Sequence, residues 1–132
     1  MIILLSSLLL QACNEPAPKQ LPRSRVKSEA DYIRAIPGKN DTIPVEVSNR
    51  GEVLIAYSDC RTCHTVEERS KGPAFKDIAK RYPVNDGYIN MLAARVIAGG
   101  SGAWGYSVMS PHPNLSIEDA KVMVKYILSL KR

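Results

Sequence analysis

Two thiols and an imidazole stand together in Cys60-Arg61-Thr62-Cys63-His64. On a helical turn, residues three apart share a face, so both sulfurs can add to the two vinyl groups along one porphyrin edge. The adjacent imidazole then reaches the iron from one side as a neutral nitrogen ligand. This Cys-x-x-Cys-His spacing is the pattern of covalent c-type haem attachment. Two other uses of the same residues fit less well. A thioredoxin-like redox pair needs a strand before the motif, whereas residues 51–59 carry a helical pattern. A zinc site drawn from Cys60, Cys63, His64 and His112 has no familiar structural-zinc spacing.

One histidine leaves the sixth iron position to be filled, and the candidates are Met91, Met109, Met123 and His112. Met91 lies in an apolar segment, 89–97, and Met123 in an amphipathic carboxyl-terminal one, so both read as core filling. Met109 closes a glycine-rich stretch, 99–111, which has no core of its own and can pass close to a flat cofactor. His112 reads as a solvated loop residue, with a role beside the methionine sulfur or as a competing ligand as the alternatives.

The elements that must position these groups are short. A chain of 132 residues with 45% hydrophobic and 23% charged residues has room for one small domain and excludes a two-domain enzyme. Aromatic residues make up 6%, so something besides side chains completes the core. The periodicity predicts helices before the Cys60 motif, over 74–82 and 86–98, and from Ser116 onward. Ser116 with Asp119 resembles a capping box, and Ile117, Ala120, Val124, Ile127 and Leu128 make one apolar face. That face is expected to meet Val53, Leu54 or Tyr57 through Val124, Tyr126 or Ile127.

From about Ser48 to the end, the chain resembles the small bacterial monohaem class I cytochromes c. The shared order is an amino-terminal helix, Cys-x-x-Cys-His, Gly72-Pro73, then Gly99-Gly100-x-Gly102-x-Trp104-Gly105-x-x-x-Met109 and a last helix. The resemblance implies an all-α cytochrome c fold, with about four short helices around one haem c attached through Cys60 and Cys63. It implies that His64 and Met109 are the axial ligands. It further implies that the Pro73 carbonyl accepts the Nδ1 proton of His64, and that the Trp104 indole bonds a haem propionate. Where many members have Pro-Met-Pro-Pro and then Asn, this chain has Val108-Met109-Ser110-Pro111-His112.

Residues 1–12 are almost wholly apolar, too short to span a bilayer as a helix and of the length of a signal-peptide hydrophobic region. They run into Leu10-Gln11-Ala12-Cys13, which resembles a lipoprotein lipobox and implies export, cleavage and lipidation of Cys13. A simple secretory signal is the other reading; no Lys or Arg precedes Lys19. Residues 13–47, rich in proline and mixed charge, read as a flexible linker in which 30–36 forms a helical turn or two. Ile43, Val45 and Val47 alternate like a short strand, and the haem domain is expected over 48–132.

With a nitrogen and a thioether both bound, the iron is low-spin and offers no open position, which is the chemistry of an electron carrier rather than an enzyme. Displacement of Met109 would instead give a haem-based sensor or peroxidase-like protein. A third reading is a subunit docked permanently on an oxidase or reductase. The net charge of +5 favours partners with acidic docking faces, whether oxidase, reductase or dehydrogenase, met by Lys71, Lys76, Lys80, Arg81 and Arg95. The same charges also read as ordinary solvated ones. No basic cluster is interleaved with aromatic residues, so nucleic acid is not an expected partner. The expected location is the periplasmic side, lipid-anchored to a bacterial membrane.

Overall fold

The computed structural model describes residues 27–131. In chain order they form α1 (Glu29–Ile33), α2 (Val45–Ala56), a 3-10 turn (Cys60–Thr62), α3 (Phe75–Arg81), α4 (Asp86–Ala98), β1 (Gly100–Gly102), β2 (Gly105–Met109) and α5 (Ile117–Ser129). The fold is thus helical, as the resemblance implies, with one element the periodicity did not predict. The glycine-rich stretch pairs as an antiparallel hairpin, Gly100 opposite Met109 and Gly102 opposite Gly105. Positive φ at Gly102 and Gly105 lets the chain turn tightly at Ala103 and Trp104.

Helix α5 is the spine. Its N-cap is the predicted one: the Ser116 hydroxyl oxygen accepts from the Asp119 N–H at 3.0 Å, and its O–H donates to the Asp119 carboxylate at 2.9 Å. The face it buries is centred on Ala120, Met123, Val124, Tyr126 and Leu128, so Met123 is core as expected. Ile117, in its first turn, is exposed instead of buried with the rest of the predicted face.

The crossing of α2 over α5 follows the expected one only through Leu54, which packs beside Ile127 against the buried cluster that contains Tyr126. Tyr57 and Val53 are exposed, and the contact runs through Gly51 and Ile55 on the opposite face of α2. A Cβ at Gly51 would lie 2.4 Å from the Val122 carbonyl oxygen and 2.7 Å from the Tyr126 Cβ. The two backbones therefore approach as closely as they do only because position 51 has no side chain. Ile55 then meets Phe75, Met123 and Tyr126 in one buried cluster, while Tyr82, Val84, Ile89 and Ala93 join Ala120, Val124 and Leu128 in another. At the edge of the first cluster, burial and then the Glu52 charge push the Tyr126 hydroxyl above its ordinary range; it donates to Glu52 at 3.3 Å.

The stretch ahead of Ser48 also departs from expectation. Val45 and Val47 are helical, because Pro44 at the N-cap supplies the extended φ/ψ from which α2 starts. Within the region read as a flexible linker, residues 27–44 lie bonded along α3 and the loop that follows it. The Ile36 N–H donates to the Arg81 carbonyl at 2.8 Å, the Asp41 N–H to Val84 at 2.7 Å, and Asn40 Oδ1 accepts from the Val84 N–H at 2.8 Å. Ile36 and Ile43 pack onto the second cluster, which repays the ordering of a proline-rich segment. The predicted helical turn is α1. Cys13 and the apolar residues 1–12 lie outside the described residues, and among those described no helix is long and apolar enough to cross a membrane.

The α2–α5 crossing predicts that Gly51→Ala destabilises the protein by about 1–3 kcal/mol despite alanine's better helix propensity, since a backbone carbonyl must move. Thermal or denaturant unfolding checks this; an unchanged or raised midpoint would show that the helices separate freely.

Candidate functional site

The helices surround a cavity of about 360 Å³, whose wall includes Cys60, Cys63, His64, Pro73, Trp104 and Met109. All six residues singled out from the sequence for this site thus reach one space. The cysteines arrive on the 3-10 turn that follows α2, started by the Thr62 N–H to Asp59 carbonyl bond at 2.9 Å, and both are free thiols. The turn, rather than a full helix, brings residues 60 and 63 onto one side.

His64 is held on three sides. Its Nδ1 lies 2.7 Å from the Pro73 carbonyl oxygen, which can only accept, so Nδ1 carries a hydrogen and the neutral ring has its lone pair on Nε2. That is the tautomer a metal-ligating imidazole needs. Phe75, the single phenylalanine of the chain, stacks on the ring at 5.3 Å between centroids and 19° between planes. On the other side Gly72 forms the seat: a Cβ there would be 2.6 to 3.1 Å from Cε1, Nδ1 and Nε2. The backbone bonds Gly72 N–H to Cys63 carbonyl at 2.8 Å and Phe75 N–H to Thr65 carbonyl at 2.9 Å fasten this loop to the motif.

Across the cavity, β2 delivers Met109 and the hairpin turn delivers Trp104. Trp104 meets Tyr82 edge-on, with centroids 6.4 Å apart. Arg81 lies 4.9 Å from the Trp104 ring and 5.4 Å from the Tyr82 ring. It donates to the carbonyls of Tyr32 at 2.9 Å and Ala103 at 2.8 Å. Arg81 is therefore a clamp for the hairpin and not a free docking charge, and nothing in its own sequence context distinguishes it from Lys80.

The expected basic face narrows for the same kind of reason. Lys76 pairs with Glu67 at 2.6 Å and Lys80 reaches Asp77 at 3.5 Å, leaving Lys71 and Arg95, which line the cavity. Met91, read as core filling, is partly exposed and also lies on the cavity wall. His112 is part-buried and has partners of its own: its Nδ1–H donates to the Val96 carbonyl at 3.2 Å, and its Nε2 faces an Asp59 carboxylate oxygen at 3.3 Å. The end of α4 supplies the first partner and the start of the cysteine turn the second. A zinc set does not form either, for among the described residues no three His, Cys, Asp or Glu side chains gather as metal ligands.

A family model described as cytochrome c matches residues 48–131. The chain belongs to the cytochrome c family. A cytochrome c-552 of Nitrosomonas europaea is 43% identical over 78 residues, which is 59% of this chain and 76% of that protein. A cytochrome c-551 of Azotobacter vinelandii is 37% identical over 81 residues, covering 61% of this chain and 98% of its own length. The crystal structure of wild-type Nitrosomonas europaea cytochrome c552 superposes with a TM-score of 0.57 at 41% identity, over 61% of this chain and 99% of that one. In this cytochrome c, Cys60 and Cys63 are the attachment points of one covalent haem c.

The residues fit that group on this structure's own terms: two free thiols on one turn, an imidazole in the ligating tautomer, and a glycine seat that a single methyl group would fill. Gly72→Ala is expected to push the His64 ring away from Pro73 and to lower both the yield of haem-loaded protein and its unfolding midpoint, by about 1–3 kcal/mol of stability. Absorption and unfolding measurements beside the wild type check it, and wild-type values for both would show that the seat has slack.

Proposed function

We propose that this cytochrome c is a membrane-tethered single-electron carrier working between redox partners outside the cytoplasm, with His64 and Met109 as the two axial ligands of a low-spin haem. The observation that carries the reading is the convergence of His64 and Met109 on the wall of one cavity that also holds both cysteines. When bound, the haem supplies a one-electron couple, which a thioether ligand shifts toward the ferrous state.

The chain's own part is to hold. Pro73 and Phe75 fix the His64 ring, the hairpin fixes Met109, and Arg81 fixes the hairpin through Ala103 and Trp104. A frame that keeps both ligands in place through a change of oxidation state keeps the reorganisation small and admits no substrate to the metal. The Trp104 indole, at the edge of the cavity beside Arg81, suits the propionate contact that family resemblance assigns to it.

Lys71 and Arg95 at the cavity support a basic approach surface for acidic partners such as an oxidase, reductase or dehydrogenase, with encounter slowed by salt. The tether rests on the sequence, through lipidation of Cys13 after an apolar leader, and places the domain on the periplasmic face of a bacterial membrane.

Protein matured with haem is expected to show the weak far-red absorption band of sulfur bound to ferric iron, and Met109→Ala to lose it. The reduced wild type is expected to bind little carbon monoxide at neutral pH, and the variant to bind it readily. A wild type without the band that takes up carbon monoxide freely would favour instead a sensor or peroxidase-like protein with an open sixth position.

A further inference from the structure

The stretch after Met109 is attached to the rest of the molecule on two sides, and His112 makes both attachments. On one side it is bonded to the end of α4. The His112 N–H donates to the Ile97 carbonyl at 3.0 Å, and the ring Nδ1–H donates to the Val96 carbonyl at 3.2 Å. Gly99 permits this close run: a Cβ there would lie 2.5 Å from the Met109 carbonyl oxygen and 2.8 Å from the Pro111 nitrogen. On the other side, His112 Nε2 is 3.3 Å from Oδ1 of Asp59, the residue immediately before Cys60. Among the described residues, this pair is the polar link between residues 110–115 and the turn that opens the haem-attachment motif.

We propose that His112 is a positioning residue, a latch that holds the Met109 segment against the Asp59–Cys60 turn and so keeps the methionine sulfur on the iron. This rests on the reading of Met109 as axial ligand. The contacts of the ring weigh against the other roles open to it. Nδ1 donates to the Val96 carbonyl, and Nε2 faces the Asp59 carboxylate, an acceptor. With both ring nitrogens engaged inside the protein, iron or the methionine sulfur could reach one only by displacing a partner it already has. Its side chain is only 24% exposed, so the contact is partly shielded from solvent although Asp59 is open to it.

An open sixth position appears only in the fraction of molecules whose Met109 segment has left the iron, and an external ligand binds in proportion to that fraction. Loosening the latch therefore raises apparent affinity for such a ligand without altering the ligand's own chemistry. The test uses haem-loaded full-length protein, with imidazole as the probe and loss of the far-red band of the ferric form as the readout. His112→Ala is expected to bind imidazole about tenfold more tightly than wild type, having lost both ring contacts while keeping the backbone bond to Ile97. Asp59→Asn, a change at an exposed side chain with the variant's fold checked by circular dichroism, is expected to shift it the same way by about two- to fivefold. The double variant should match His112→Ala alone, because the aspartate acts through the histidine.

Unchanged affinity in Asp59→Asn, or a double variant whose effect is the sum of the two, would overturn the latch while leaving Met109 as ligand. A wild type with no far-red band would overturn the ligand assignment and the latch together.

Discussion

The orientation of one imidazole ring governs this structure. For the proposed pair of ligands, His64 must keep a lone pair on Nε2 and hold its ring in the cavity that it shares with Met109, 45 residues away in sequence. The bond from Nδ1 to the Pro73 carbonyl does the first, and proline suits the place because it has no N–H of its own to compete and holds the turn stiff. The Phe75 stack and the Gly72 seat do the second, by leaving the ring one plane to occupy. Each of these lies within eleven residues of His64, so the proximal half of the site is built mostly by local chain geometry, with Phe75 in turn held by Ile55, Met123 and Tyr126.

The distal half depends on long-range packing. Met109 and Trp104 sit on a small hairpin with little burial of its own, and such a hairpin is only marginally stable unless something holds it. Arg81 from α3 holds the turn through a carbonyl bond and a ring face, and α4 together with Asp59 holds the outgoing strand through His112. Arg81 in turn is bonded to Tyr32, so a segment outside the span matched by the family model contributes to the frame of the site.

What could be seen in the sequence followed from how local each signal was. The Cys60–His64 motif, Gly72-Pro73, the Ser116 cap and the bounds of α4 are encoded by residues within a few positions of each other, and the structure has them as expected. Contacts made across the fold were not legible. Gly51 is one glycine inside a helical pattern, and only the facing helix reveals that no side chain fits there. Arg81 looked like its neighbour Lys80 until the hairpin was seen against it. The alternation of Ile43, Val45 and Val47 suggested a strand because period two and a helix start after proline look alike over five residues. His112 looked solvated because its partners, Val96 and Asp59, lie 16 and 53 positions away. Met91, on the cavity wall and partly exposed, shows that an apolar segment does not say which of its residues faces a cofactor.

The proposed carrier role requires His64 and Met109 to remain in place while the iron changes oxidation state. X-ray absorption at the iron edge, on haem-loaded protein poised fully oxidised and fully reduced, measures this directly. The arrangement predicts one sulfur scatterer in both states, with metal–ligand distances that change little between them. A sulfur shell missing in either state, or a distal oxygen or nitrogen in its place, would contradict it.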